Sequence, residues 1–134
     1  MPHPSVTMAT ETVHNPAEPR HFMRVKPANS HIRILHAGMV LAETDRALYV
    51  TEVGRDMYET ALYIPRDAIS SSLLPVPDKT THCPLKGDAA YFSLAGEPPI
   101  AWSYTAPFAF ADAIKGYVSF YRDRVTIEER GANA

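Results

Sequence analysis

A chain of 134 residues with 46% apolar and 21% charged side chains has the material for one globular domain with a hydrophobic core. Fifteen acidic against thirteen basic residues leave a formal net charge of −2, which gives no electrostatic footprint for nucleic acid or an anionic membrane, so neither is expected as a partner. No apolar run approaches the roughly 20 residues that span a bilayer, residues 1–16 show no signal-peptide pattern, and Cys83, the single cysteine, excludes an intrachain disulfide; a cytoplasmic setting is expected.

Residues 1–20 hold four of the twelve prolines (Pro2, Pro4, Pro16, Pro19) and few apolar side chains, so they read as a flexible arm. The folded part is expected over 21–129, with a frayed tail over 130–134. Within it the hydrophobic period is two. Met23–Lys26 and His31–His36 alternate across the turn-forming Pro27-Ala28-Asn29-Ser30, which predicts a hairpin. Ala37-Gly38 then suits a tight turn into Met39–Ala42.

Further strands are expected over Ala47–Glu52 and over Thr60–Ile64, the latter stopped by Pro65. Residues 65–84 lose the alternation and read as an irregular stretch, either a lid or a packed loop. Asp88–Leu94 and Ile100–Tyr104 predict a pair, as do Tyr117–Tyr121 and Val125–Glu129. One short helix near 108–115 is expected: Pro107 suits a first helical position, Phe108, Ala111 and Ile114 share a face, and Gly116 suits the residue after the end. The sum is a mainly β, antiparallel, compact domain, a sandwich or a rolled sheet.

The densest polar block is Asp78-Lys79-Thr80-Thr81-His82-Cys83-Pro84-Leu85-Lys86-Gly87-Asp88. It contains the residue types used for acid–base and nucleophilic chemistry, and His82, Cys83 and Lys86 are the candidate catalytic residues. His82 and Cys83 cannot form a pair with each other in an extended chain, because neighbours point to opposite faces; a Cys83 nucleophile would need a distant histidine or Lys86 as its base. Tyr63, Tyr91 and Trp102, like Tyr104, stand on strands that could converge on one sheet face. With Thr81, His82 and Lys86 they form the candidate ligand-binding set: an aromatic-walled pocket with polar groups at its rim. No metal site is expected, since one cysteine and scattered histidines lack the short ligand spacings of a zinc motif. No cofactor motif occurs either: there is no Gly-x-Gly-x-x-Gly, P-loop or nucleophile elbow.

The order Arg24-Val25-Lys26-Pro27, Ile32-Arg33-Ile34, Tyr63-Ile64-Pro65-Arg66-Asp67, Thr80-Thr81-His82-Cys83-Pro84-Leu85-Lys86-Gly87, Ala101-Trp102-Ser103-Tyr104 and Lys115–Tyr121 resembles a bacterial and fungal family, number 427 of the domains of unknown function. The resemblance spans roughly residues 15–129, and the Thr-Thr-His-Cys-Pro-Leu-Lys-Gly block is its most specific element. It implies a small β-rich domain of the β-tent type. The chain lacks the paired cysteines with which other members of that fold group hold zinc, so neither that metal nor reductase chemistry is carried over. A nucleotidyltransferase label sometimes attached to the family implies clustered acids and a phosphate-cradling loop; Asp78 and Asp88 are the only nearby acids, without a Gly-rich loop. The leading expectation is therefore a domain that binds a small polar or anionic molecule. The alternatives are an enzyme of transferase or hydrolase type using Cys83, Lys86 or His82, and a protein-interaction module.

Overall fold

The computed structural model describes residues 11–131. Their strands, in chain order, are β1 (Val13–Asn15), β2 (Glu18–Pro27), β3 (Ser30–His36), β4 (Met39–Thr44), β5 (Leu48–Val53), β6 (Ala61–Tyr63), β7 (Leu74–Cys83), β8 (Gly87–Ser93), β9 (Ala101–Ser103), β10 (Val118–Phe120) and β11 (Thr126–Gly131). All pairings are antiparallel, as the period-two pattern predicts for sheets with one buried face.

They form three sheets with strand orders β1-β2-β5-β6, β10-β9-β8-β7 and β11-β3-β4. The first two join edge to edge where Ile64 and Val118 exchange backbone hydrogen bonds of 2.8 and 2.7 Å. The eight strands so connected roll up, and Asn15 on the outermost strand donates from Nδ2 to the Pro84 carbonyl, 3.2 Å away, in the turn between β7 and β8. A rolled sheet has two faces. One carries Met23, Val50, Tyr63, Leu85, Ala89 and Tyr104 into one apolar cluster. The other meets Ile32, Ile34 and Leu41 of the three-stranded sheet in a second cluster with Leu62, Phe92 and Val118.

Two expected hairpins hold. Ala37 and Gly38 both take positive φ (50° and 79°), which matches the strand twist between β3 and β4. Tyr91 pairs with Trp102 across β8 and β9. Two others do not form. β2 pairs with β1 and β5 rather than β3, and β10 pairs with β9 while β11 crosses to β3. Turn-forming residues between two strands allow a hairpin, but the apolar faces decide the partner, and here β2 and β3 bury theirs in different clusters.

The stretch 65–84 contains a 3-10 turn at Arg66–Ala68 and then β7. Pro75 and Pro77 disguise β7 in the sequence; it is the edge strand of its sheet, the place where a missing N–H is tolerated, and it bulges between Pro75 and Thr80 with Asp78 at φ 61°. Near 108–115 the structure has a 3-10 segment, Ala109–Ile114, broken at Ala111 (φ −108°, ψ 20°), in place of a regular α-helix. It lacks a side-chain N-cap, and six residues are too few to sustain α-geometry without one. Gly116 does adopt positive φ, 76°.

The expected arm over 1–20 is partly strand. β1 and the start of β2 lie within it, tied by the Asn15 Oδ1 contact to the Ala17 amide (2.9 Å) and by Val13 packing on the apolar cluster. Residues 1–10 lie outside the described residues, as do 132–134 of the expected tail, whereas Arg130 and Gly131 complete β11. Among the described residues no helix is long and apolar enough to cross a membrane.

Candidate functional site

The inner face of the rolled sheet follows from strand parity. On β5, Val50 and Glu52 point inward, opposite Val25 and Met23 of β2. Tyr63 does so on β6, Tyr91 on β8 and Trp102 on β9. Their side chains line a cavity of about 460 Å³, together with Tyr104, Lys86 and, at its margin, Tyr58, Glu59, Tyr121 and Arg122. That volume lies within the roughly 300–1,000 Å³ typical of small-molecule sites.

Lys86 sits at the base of this cavity, with a side chain only 8% exposed. Its backbone is fixed by the β7–β8 turn: Gly87 takes φ 110°, a conformation that L side chains rarely adopt, and the Phe108 amide donates to the Lys86 carbonyl (3.2 Å). The 107–108 segment packs on this turn, with the Pro107 backbone 3.4 Å from where a Cβ at position 87 would stand, an ordinary contact, so it is the backbone conformation that calls for glycine.

The Lys86 ammonium donates to Glu52 Oε1 and lies 5.5 Å from the Tyr104 ring centroid. Burial alone would favour the neutral amine; Tyr63 and Glu52 outweigh it and hold the pKa above the ordinary lysine value. Glu52 Oε2 in turn meets His21 Nε2 at 2.6 Å. A chain of polar contacts therefore runs His21–Glu52–Lys86 beside the apolar cluster of Met23, Val50 and Leu85. Burial pushes the hydroxyls of Tyr63 and Tyr104 up, with Lys86 opposing the shift at Tyr63, so both phenols stay protonated near neutral pH.

Four of the six side chains expected to bind a ligand come together here. Tyr63, Lys86, Tyr91 and Trp102 all line the cavity. Thr81 lies outside it, but its Oγ1 is 2.7 Å from the Tyr91 hydroxyl, a contact that orients that ring. Lys79 lies over the same ring at 4.7 Å, and Tyr121 tilts against Trp102 at 4.9 Å between centroids.

His82 is placed elsewhere. It pairs with Asp88 across the β7–β8 register on the outer face, Nδ1 to Oδ1 2.8 Å, with 60% of its side chain exposed and Phe108 against its ring edge. Parity separates it from Cys83, which faces the inner apolar cluster, half-buried. The third catalytic candidate, Lys86, is the member of the block that reaches the cavity. Asp88 is engaged with His82 and Asp78 is exposed on the β7 bulge, so the two acids of the block do not form a cluster at the cavity.

Tyr104, one of the aromatics expected to share a sheet face, lines the cavity beside the lysine, and sequence reasoning missed two residues: Glu52 and His21. Glu52 sits in an alternating strand where an inward acid breaks the pattern Leu48, Val50, Glu52, and that break was a readable signal. His21 gave none, because it lay at the edge of the presumed arm. The structure also brings one donor atom each of His21, Glu52 and Cys83 within 4.8 Å of one another.

No curated protein matches the chain. Residues 24–131 match the family model described as domain of unknown function DUF427, and the chain belongs to that family.

Proposed function

We propose that the protein binds a small polar or anionic molecule in the cavity of the rolled sheet. The observation that carries this reading is a buried ammonium, Lys86, at the base of an aromatic-walled cavity. An ammonium offers three donors; Glu52 and the Tyr104 face engage one side, which leaves donors for an incoming carboxylate or phosphate. Tyr63, Tyr91 and Trp102 supply flat apolar surface for the body of the ligand, and Arg122 at the margin adds a second cation that favours negative charge. Catalysis is not part of this reading. The near-neutral net charge supports neither a nucleic-acid nor a membrane partner, and the free cysteine supports a cytoplasmic setting.

Trp102 is the only tryptophan of the chain, so its fluorescence reports directly on the cavity. Carboxylates, sugar phosphates and nucleotides titrated in the presence of a chelator should include one that shifts or quenches it saturably. Lys86→Met should abolish that response with folded far-ultraviolet circular dichroism retained, whereas His82→Ala should leave it intact. A response that survives Lys86→Met would remove the lysine from the site.

A further inference from the structure

We infer that His21, Glu52 and Cys83 form a binding site for a divalent transition metal, zinc by its donor set. The three donors are an imidazole nitrogen, a carboxylate oxygen and a sulfur, each from a different strand (β2, β5 and β7), and they lie within 4.8 Å of one another. A tetrahedral zinc with bonds of about 2.0–2.3 Å holds its donors roughly 3.3–3.7 Å apart. The trio is therefore at near-ligating spacing, and binding requires the 2.6 Å His21–Glu52 contact to open by about an ångström while the widest separation tightens.

Charge and access agree with this assignment. Thiolate plus carboxylate with a neutral imidazole offers two negative charges to a divalent cation, and the Lys86 ammonium on Glu52 offsets one of them, so the site still favours a cation. Glu52 divides its oxygens: Oε1 takes the Lys86 hydrogen bond and Oε2 faces His21, so Oε2 can ligate once the His21 contact opens while the lysine holds the carboxylate in place. All three side chains are half-buried, within reach of an ion from solvent and shielded enough to favour it over water. Coordination replaces the Cys83 S–H bond with a sulfur–metal bond and releases that proton to solvent. Three protein ligands leave the fourth tetrahedral position for water or a ligand atom, the arrangement of zinc sites that are not purely structural.

The test is a titration of the chelator-stripped full chain with cobalt(II) alone. Cys83 is the only cysteine, so a thiolate-to-cobalt charge-transfer band in the near ultraviolet can arise from this site only. The expected result is one equivalent of cobalt with that band, bleached by one equivalent of zinc, absent in Cys83→Ser, and needing at least about tenfold more cobalt in His21→Ala, the cost already typical of losing a supporting residue. No band at millimolar cobalt, or a band undiminished in both His21→Ala and Glu52→Gln, overturns the assignment. Should those variants fail to fold, the wild type decides: zinc must slow alkylation of Cys83 and shift the His21 ring nitrogen resonances, and an unchanged rate or spectrum overturns it equally. No organic ligand is present in this titration and chelator is present in the fluorescence test, so either reading can fail alone.

Discussion

Two histidine–carboxylate clusters in this molecule use the same side chains at nearly the same distances. His21 meets Glu52 at 2.6 Å; His31 meets Glu43 at 2.6 Å and Asp45 at 2.5 Å. They differ in water. The first lies inside the roll with side-chain exposures of 18% and 13% and passes its contact on to a lysine, whereas the second stands on the three-stranded sheet with exposures of 38%, 48% and 78%. In solvent such a pair is screened and contributes little. Inside, the lysine and Glu52 form a buried ion pair, and neither of those two charges can be lost without stranding the other.

The sharpest way to break this comparison is Glu52→Leu. It leaves the Lys86 ammonium buried without its carboxylate, and chemical denaturation should show a loss of about 3–5 kcal/mol. Adding Lys86→Met should recover most of that loss, since an apolar pair of similar volume often replaces a buried ion pair at little cost. Lys86→Met alone should cost less than Glu52→Leu, because Glu52 retains His21. A double variant no more stable than Glu52→Leu would mean that the pair is not the coupled unit described.

Gly87→Ala tests the turn that sets the lysine. A side chain at φ 110° should cost about 1–3 kcal/mol in thermal or chemical unfolding. It should also weaken any ligand response read by Trp102 fluorescence, because the strain displaces Lys86. On the outer face, His82→Ala should change stability by no more than about 0.5 kcal/mol, as the pair with Asp88 is solvated. A larger loss would give the outer face a structural weight that its exposure denies.

The smallest expected effect concerns His31. Its hydrogen bonds to Asp45 and then Glu43 raise its pKa above 6.5, against a smaller opposing effect of burial. The folded state therefore binds the proton more tightly than the unfolded chain. The resulting stabilisation is fully present below about pH 6.5 and is lost as pH rises through the raised folded value. Thermal midpoints of the wild type should show a slight extra decline above pH 6.5 that His31→Gln removes; equal profiles for both would place the pH dependence on other groups. Lys86 follows the same sign at the alkaline end, keeping its contribution at neutral pH and losing it only above the ordinary lysine range.

Strand positions were readable because each strand needs only its own alternation. Ser30, Ile32 and Ile34 are buried at every second position of β3. The turns Ala37-Gly38 and 95–99 announced the two hairpins whose partners are adjacent in the chain. Pairings that bridge many residues, β2 with β5 and β3 with β11, left no local trace, and edge strand β7 was hidden by prolines that only an edge tolerates. At the site, Tyr63, Tyr91 and Trp102 were legible as same-face aromatics, and Lys86 as the lysine of a dense polar block. The block itself gave no ranking between His82 and Lys86.

By itself, then, the sequence determined the β class, the parity of the regularly alternating strands and, since neighbours in any extended chain face opposite ways, the separation of His82 from Cys83, because period two acts over a few residues. Tertiary structure alone decided which strands lie side by side. That choice set Glu52 of β5 against Lys86 of the β7–β8 turn, 34 positions apart, and brought His21 of β2 beside both Glu52 and Cys83. The physical reason is that burying two apolar faces at once selects among pairings that are locally equivalent, and no single strand carries that information.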